Sequence, residues 1–343
     1  MSSEYFHKGL TTVNNSESHS FIHLLKNGSV HIGIVSDSDS FIPLAITLYS
    51  QQMQVSLYYV PSQEDIINQK VHAFLQQVPI SLTEEKNQGR DLYQWLQKGK
   101  MDVCFIIGYR HLIHLDRLKQ VYTTLFNIHF GLLPMFKGPS PVFWQLKLGC
   151  EKIGVSIHRL STKFDEGPVV WMKETDNQKY YNYKLATQLL SQLCMEGAFF
   201  IINCLTNGLA IPNLDRSSVI PAYYKRPGLQ EVAIDWKQTD ADGICNLIRA
   251  CNPWNKGAIA LFKGQEVKLT DAVIVHEDSE AETKNILSAT AGTIVEDDGC
   301  LHICCKDGNI IQVNMLFFQE SFIPTYYGRT FGFRKGDKFE SIG

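Results

Sequence analysis

The chain has 343 residues, of which 44% are hydrophobic and 20% are charged, and this composition excludes a disordered or fibrous protein. Its formal net charge of -3 gives no support to a broad nucleic-acid-binding surface. Because the sequence has no apolar run of about 18 residues and does not open with a charged-then-apolar leader, we expect a cytoplasmic protein that does not bind membranes.

The first half of the chain alternates between two kinds of segment. Residues 1–28 are rich in Ser, Asn and His and are predicted to form an N-terminal extension. From 29 to 206, continuous β-branched runs, typical of strands buried on both faces of a sheet, alternate with helical segments. The alternation predicts an α/β domain with a Rossmann-like, doubly wound parallel sheet. Strands are predicted at 31–35, 55–60, 78–82, 102–108, within 123–134, at 154–160 and at 168–174, and helices at 41–52, 63–77, 90–97, before the fifth strand, at 141–147 and at 183–205.

The second half has a different pattern. Residues 207–230 are rich in proline and turn residues and are predicted to be a linker. Residues 231–343 contain one helix followed by short strands separated by turns. Such a series predicts a smaller, OB-like β-barrel domain.

The nine cysteines are scattered, and none forms a Cys-x-x-Cys pair. Zinc sites usually use such paired spacing, because it lets two thiolates reach one ion. We therefore expect buried thiols and no metal cofactor. Phosphate-binding loops of the Gly-x-x-x-x-Gly-Lys and Gly-x-Gly-x-x-Gly types are also missing from the sequence.

The most informative stretch begins at Asn127 and His129, which are two residues apart in a predicted strand. Two such side chains point to the same face of a sheet. They would emerge at the carboxyl edge of the parallel strands, where open α/β sheets place their ligands. A Gly-Leu-Leu-Pro loop follows at 131–134, then Lys-Gly-Pro at 137–139, and an Asp-Glu-Gly turn at 165–167.

These motifs together resemble the formyltransferase family, whose members share an Asn-x-His motif, a Ser-Leu-Leu-Pro loop and an Asp-x-Gly turn. The resemblance extends to 222–227, 234–236 and 248–254, which are similar to the linker and C-terminal domain of the members that formylate methionyl-tRNA. It implies transfer of a formyl group from 10-formyltetrahydrofolate to a primary amine. Taken singly, an Asn and a His at a strand end are more often structural, and an Asp before Gly is a common turn residue.

The resemblance implies that the catalytic residues are Asn127, His129 and Asp165. Acyl transfer to an amine develops negative charge on the carbonyl oxygen, which Asn127 and a protonated His129 could stabilise as donors. His129 would also move the proton of the amine, and Asp165 would orient its ring and raise its pKa. Gly131 replaces the serine usual in the family, and we expect altered loop packing rather than lost activity.

The co-substrate site is also implied by the resemblance, because the family docks its pterin on backbone groups near the fourth strand and the Asp turn. Gly108 would let a flat ring approach the main chain. The side chains of Arg110 and His111 could equally belong to a solvated helix start. The predicted folate-binding residues are Ile107, Gly108, Tyr109, Arg110, His111, Leu112, Leu133, Pro134, Phe164, Glu166 and Gly167.

The acceptor amine is left open between a sugar nucleotide and methionyl-tRNA. The tRNA enzymes carry a basic insertion after the second strand, whereas this chain reads VPSQEDIINQ there. Residues 108–113 and 155–160 resemble the enzyme that formylates UDP-4-amino-4-deoxyarabinose, so we favour a sugar nucleotide. The predicted acceptor-binding residues are Lys137, Gly138, Pro139, Lys225 and Arg226, with Tyr109, Phe143, Trp144 and Trp171 as candidates for stacking on a base.

Two other classes of function remain alternatives. A formyltetrahydrofolate hydrolase would use the same three residues with water as acceptor, but the N-terminal extension is too short for the regulatory domain usual in such enzymes. A catalytically silent binding module is disfavoured by the intact Asn127, His129 and Asp165. The oligomeric state is left open, with a homodimer as one option.

Overall fold

The computed structural model describes residues 30–118, 121–275 and 289–342. The predicted N-terminal extension therefore lies outside the described residues. The chain divides into two compact units. Within the described residues, the first unit comprises 30–137, Gly154–Glu174 and Gln188–Tyr223, and the second comprises Gly138–Ile153, Thr175–Thr187 and 224–342.

A seven-stranded sheet, in the order β3-β2-β1-β4-β5-β6-β7, organises the first part of the chain. Its first five strands pair in parallel, and β6 pairs with β5 in the antiparallel direction. The predicted Rossmann-like α/β fold is confirmed, with an antiparallel addition at one side. The strands are β1 (His31–Ser36), β2 (Gln54–Tyr59), β3 (Ser81–Glu84), β4 (Val103–Ile107), β5 (Thr124–His129), β6 (Lys152–Arg159) and β7 (Val169–Asp176).

The central strands are buried on both faces, which explains their continuous apolar runs. Every residue of β4 is buried, as are all residues of β1 after His31. Helices follow most strands, as the alternation predicted. They are α1 (Ile42–Ser50), α2 (Asp65–Gln77), α3 (Arg90–Gly99), α4 (Pro141–Lys147) and α5 (Tyr183–Thr206).

One predicted helix is wrong. Between β4 and β5 the described residues contain only a 3-10 turn, Leu115–Leu118. The residues that directly follow β4 are used instead for a loop, in which Tyr109 and Arg110 contact other segments of the same unit.

The helix α5 is long and apolar enough to cross a bilayer, with a mean hydropathy of 1.4 over its most apolar window. However, 44% of that window is buried inside the fold. Core helices of globular proteins can have the same length and apolar composition, so the helix is only weak evidence for a membrane span.

The second unit contains an antiparallel sheet in the order β10-β11-β12-β9-β8-β14. Its two end strands are joined, because Phe339 N donates to Gly292 O and Ile294 N donates to Asp337 O, both at 2.8 Å. The predicted small β-barrel is confirmed, and its OB-like topology stays a prediction. The elements are α6 (Leu229–Val232), α7 (Ala241–Cys251), β8 (Ala258–Phe262), β9 (Gln265–Val275), β10 (Ile294–Glu296), β11 (Leu301–Cys304), β12 (Ile310–Phe318), β13 (Ser321–Pro324) and β14 (Phe339–Glu340).

The predicted domain boundaries, with a linker at 207–230, remain a prediction. Segment 209–228 has no helix and no strand longer than one bridge. The nine cysteines are all unpaired, and the described part of the chain holds no group of three metal-ligating side chains.

Candidate active site

Two antiparallel strands place four polar side chains on one face of the sheet. In the β5–β6 pair, Asn127 lies opposite His158 and His129 lies opposite Ser156. Alternate residues of a strand share a face, so the four side chains point the same way. His129 is 7% exposed and His158 is 3% exposed. The cluster is therefore shielded from water, and its charges interact strongly.

The turn after β6 brings a carboxylate to this cluster. Asp165 Oδ1 lies 3.4 Å from His129 Nδ1 and 3.6 Å from His158 Nε2. His158 Nε2 is in turn 2.9 Å from Asn127 Nδ2. The structure thus brings the three predicted catalytic residues together, with His158 as the link between Asn127 and Asp165.

The Asp-x-Gly turn has a steric explanation. Asp165 has a φ of +56°, in the left-handed region that Asp and Asn tolerate better than most residues. A Cβ at Gly167 would lie 1.7 Å from the carbonyl oxygen of Arg159, so only glycine allows the turn to lie against β6. Arg159 N also donates to Pro168 O at 3.0 Å. These contacts fix the carboxylate of Asp165 beside the two imidazoles.

The proton of His129 can be placed from its partners. Nε2 is 2.6 Å from the carbonyl oxygen of Phe136, which can only accept, so Nε2 carries a hydrogen. Nδ1 is then the basic atom of the ring, and it faces Asp165. The distance of 3.4 Å between Nδ1 and Asp165 Oδ1 is longer than a charge-assisted hydrogen bond, which agrees with a neutral ring.

Burial lowers the pKa of His129, and the Asp165 carboxylate and the Phe136 carbonyl only partly oppose this effect. Asp165 does raise the pKa of His129, as expected, but desolvation of the buried ring lowers this pKa by more. The expected donor role is not supported by the geometry, because Nε2 donates to Phe136 and Nδ1 faces a carboxylate. His129 is therefore placed to accept a proton rather than to donate to an oxyanion.

This pKa predicts how activity depends on pH. The ordinary pKa of histidine is 6.5, and that of His129 is lower. A base with a lowered pKa stays neutral, and able to accept a proton, to more acidic pH. We expect kcat/KM to fall only as the pH drops below about 6.5. The check is a pH profile of the wild-type chain and of His72→Gln, which removes an exposed imidazole; an acid limb well above this value would contradict the assignment.

The loop that follows β5 is held from the opposite strand. Ser156 Oγ accepts a hydrogen bond from Leu133 N at 3.0 Å and donates one to Gly131 O at 2.7 Å. Arg216 Nε donates to Leu133 O at 3.3 Å, and the Leu133–Pro134 peptide is cis. The loop is therefore well anchored although Gly131 has no side chain.

The predicted folate residues after β4 make contacts within the protein. A Cβ at Gly108, whose φ is +65°, would lie 2.9 Å from Asp37 Oδ1, so a flat ring there would share its space with this carboxylate. Arg110 Nε lies 3.5 Å from Asp37 Oδ2, and Tyr109 Oη donates to Glu85 at 3.2 Å. His111 Nε2 lies 3.7 Å from Glu85 Oε2, Ile107 is buried, and Leu112 is half-buried.

A cavity of about 370 Å³ adjoins the Asp165 turn within the first unit. Glu166 lies between two ammonium groups, 3.4 Å from Lys137 Nζ and 3.6 Å from Lys163 Nζ. Phe164 is 49% exposed and Tyr223 is 66% exposed, so both offer aromatic surface. Such a cavity suits an anionic ligand with a flat ring. It is lined by Lys137, Lys163, Phe164, Glu166, Pro221, Ala222 and Tyr223.

The other predicted acceptor residues belong to the second unit. A Cβ at Gly138 would lie 2.0 Å from Tyr224 O, so this glycine is required by backbone packing. Lys225 Nζ forms an ion pair with Glu231 at 2.7 Å, whereas Pro139 and Arg226 are exposed.

Two of the aromatic candidates for base stacking are used in packing. Phe143 is fully buried, so its predicted role in stacking on a ligand is wrong. A Cβ at Gly197 would lie 2.4 Å from the Trp171 ring, which shows how closely that ring packs on α5. Trp144 Nε1 donates to Lys225 O at 2.9 Å.

Sequence reasoning missed His158 as part of the cluster. The residue was noted only within a segment of family resemblance, because the partner of β6 and its register are not visible in one sequence. A signal was available: Ser156 and His158 are polar residues two apart in an otherwise apolar strand. Such alternation indicates two polar side chains on one face.

The sequence of the chain is similar to those of known proteins. Residues 31–184 match the formyl transferase family model, and 229–320 match the model of the formyl transferase C-terminal domain. The bifunctional polymyxin resistance protein ArnA of Wigglesworthia glossinidia brevipalpis is 29% identical over 220 residues, which cover 62% of this chain and 31% of ArnA. A methionyl-tRNA formyltransferase of Pseudothermotoga lettingae is 26% identical over 244 residues, covering 70% of this chain and 76% of that protein.

The fold is also found among solved structures. The sugar 3N-formyl transferase WlaRD, determined in the presence of dTDP and 5-N-formyl-THF, superposes with a TM-score of 0.62 at 14% identity. The match covers 84% of this chain and 98% of WlaRD. With both of its family models matched and the motif residues assembled around Asp165, this chain belongs to the formyl transferase family.

Proposed function

We propose that this protein transfers the formyl group of 10-formyltetrahydrofolate to a primary amine of a sugar nucleotide. The observation that carries the proposal is the buried contact of His129 Nδ1 with Asp165 Oδ1, beside an Asn127 amide held by His158. Acyl transfer to an amine needs a proton acceptor and a donor for the developing oxyanion, and these residues supply both.

Each residue has a separate task in this proposal. His129 takes the proton of the attacking amine at Nδ1, directly or through a water molecule, and can return it to the donor nitrogen whose bond to the formyl carbon breaks as the new C–N bond forms. The imidazolium that forms is stabilised by Asp165, which faces the same nitrogen. The second N–H of Asn127, which is not donated to His158, is available for the carbonyl oxygen of the formyl group. The folate co-substrate supplies the formyl group when it is bound.

The cavity beside Asp165 supports the choice of acceptor. Lys137 and Lys163 could neutralise phosphate groups, and the exposed ring of Tyr223 could stack on a nucleotide base. Phe164 and Glu166 of the same cavity are among the residues predicted to bind folate. WlaRD supports the same choice, since it is a sugar 3N-formyl transferase determined in the presence of dTDP. Methionyl-tRNA is the second candidate, because methionyl-tRNA formyltransferases are among the relatives.

A direct assay distinguishes the acceptors. The protein is incubated with 10-formyltetrahydrofolate and, separately, with UDP- and dTDP-linked amino sugars, their N-acetylated counterparts, and methionyl initiator tRNA. We expect a gain of about 28 Da, the mass of CO, on a free amino sugar and none on the blocked ones. Formylation of the tRNA alone would overturn the sugar acceptor. Release of formate without any formylated amine would favour the hydrolase instead.

A substitution in the cavity tests its role. We expect Lys137→Gln to raise KM for the accepted sugar nucleotide about tenfold, because a charge-assisted contact to phosphate is lost. The KM for 10-formyltetrahydrofolate should change little. Steady-state kinetics on both substrates provide the check, with Lys179→Gln as a control, since that lysine is 76% exposed. An unchanged acceptor KM in Lys137→Gln would argue against phosphate binding in this cavity.

A further inference from the structure

Two imidazoles, rather than one, face the Asp165 carboxylate. His129 Nδ1 and His158 Nε2 lie 3.4 Å and 3.6 Å from the same oxygen, Oδ1. An oxygen with two lone pairs can accept from both rings, so the position of the hydrogen on each ring decides which of them it binds. The division of roles between the two histidines therefore decides how the cluster operates.

The proton of His158 can be placed from its neighbours. Nδ1 is 2.8 Å from the carbonyl oxygen of Arg159, which can only accept, so Nδ1 carries the hydrogen. Nε2 of the neutral ring is then an acceptor, and Asn127 Nδ2 donates to it at 2.9 Å. This contact fixes the orientation of the Asn127 amide, because one of its two N–H groups is committed to His158.

Protonation would change the preferred partner of the ring. A protonated Nε2 cannot accept from Asn127, and the acceptor nearest to it is Asp165 Oδ1 at 3.6 Å. The titratable groups that face the ring are Asp165 and His129. The guanidinium of Arg159 lies instead over the Phe126 ring, at 5.3 Å from its centre. The ring with its hydrogen on Nδ1 thus orients Asn127 by accepting from its amide nitrogen.

We propose that His158 is a positioning residue whose neutral ring fixes the Asn127 amide, with its second N–H toward the formyl oxygen, and leaves Asp165 to His129. This inference rests on the proposed formyl transfer for its function. The contact itself does not depend on which amine is the acceptor, so it can be tested by a route that needs no acceptor.

The first test is spectroscopic and uses the full chain labelled with ¹⁵N at histidine and asparagine. At neutral pH we expect the His158 hydrogen on Nδ1, and a side-chain amide of Asn127 that is shifted by the ring and protected from exchange. Both features of Asn127 should be lost in His158→Ala. A His158 hydrogen on Nε2, or an Asn127 amide unchanged by this substitution, would overturn the proposal.

The second test is a double-mutant cycle, in which kinetics are measured with the amine that the acceptor assay identifies. We expect His158→Ala to lower kcat about ten- to a hundredfold with KM nearly unchanged, since a fixed donor to the oxyanion is lost. In an Asn127→Ala background the same change should cost less than about threefold, because the two residues act as a unit. Additive effects would overturn the positioning role.

Two further variants separate positioning from folding. His158→Gln keeps an acceptor near the position of Nε2, so we expect it to recover part of kcat. His31→Ala removes another histidine of the same sheet, which contacts Ser56 at 2.8 Å, and should leave kcat unchanged. If no amine is formylated but the spectroscopic result is as expected, the proposed function is overturned and the contact between His158 and Asn127 is not.

Discussion

Asp165→Asn is expected to lower kcat by about a hundredfold to ten-thousandfold while leaving the protein folded. The amide cannot stabilise the imidazolium that forms when His129 accepts a proton at Nδ1. Asparagine tolerates the φ of +56° at this position, so the turn should keep its conformation. The loss therefore reports on charge rather than on structure, and steady-state kinetics together with thermal unfolding measure the two effects separately.

A matched control accompanies this variant. Asp176→Asn removes the carboxylate of an aspartate that is 72% exposed and paired with Lys152, and it should keep its activity within about twofold. Because Asp165 raises the pKa of His129, any residual activity of Asp165→Asn should show its acid limb at a lower pH than the wild type. Near-normal kcat in Asp165→Asn would remove the basis for the assigned chemistry.

Gly167→Ala is expected to cause the largest structural effect of any conservative change in the turn. Its Cβ would lie 1.7 Å from Arg159 O and 3.1 Å from His158 Nδ1, so the turn must move away from β6. We expect a loss of about 3 kcal/mol or more in the free energy of unfolding, with a steep fall in kcat as Asp165 leaves the imidazoles. Denaturant unfolding and a formylation assay provide the measurements.

Gly228→Ala serves as the comparison, because the nearest atom to its added Cβ is the flexible carboxylate end of Glu231, at 3.2 Å. Its φ of -107° is open to alanine. This variant should unfold within about 1 kcal/mol of the wild type. Equal stability of the two alanine variants would show that the close approach at Gly167 can relax without cost.

Much of the catalytic cluster could be inferred from local pattern. Asn127 and His129 share a face because alternate residues of any strand do, and the structure places them so. The Asp-x-Gly motif signalled a turn because these residues tolerate backbone conformations that others avoid. The helix predicted before β5 was wrong, because the described residues there form a loop, in which Tyr109 and Arg110 contact other segments, and a 3-10 turn.

The protonation of His129 also needed the folded structure. An adjacent carboxylate raises a histidine pKa, but the net direction here is downward because burial removes the water that would stabilise the cation. Burial depends on every segment packed around the ring, and it cannot be read from Asp165 alone. The role of His129 as proton acceptor follows from this balance.

From the sequence by itself, periodicity predicted the α/β order of the first elements and the barrel strands, and the motifs showed a resemblance to the family that implied Asn127, His129 and Asp165 as the catalytic residues. Only the tertiary structure decided that His158 joins them and that Asp165 faces two imidazoles at once. The physical reason is the register of the strands. The antiparallel pairing of β5 with β6 places residues 127 and 158 side by side, and a local sequence pattern cannot predict which residues of two distant strands will pair.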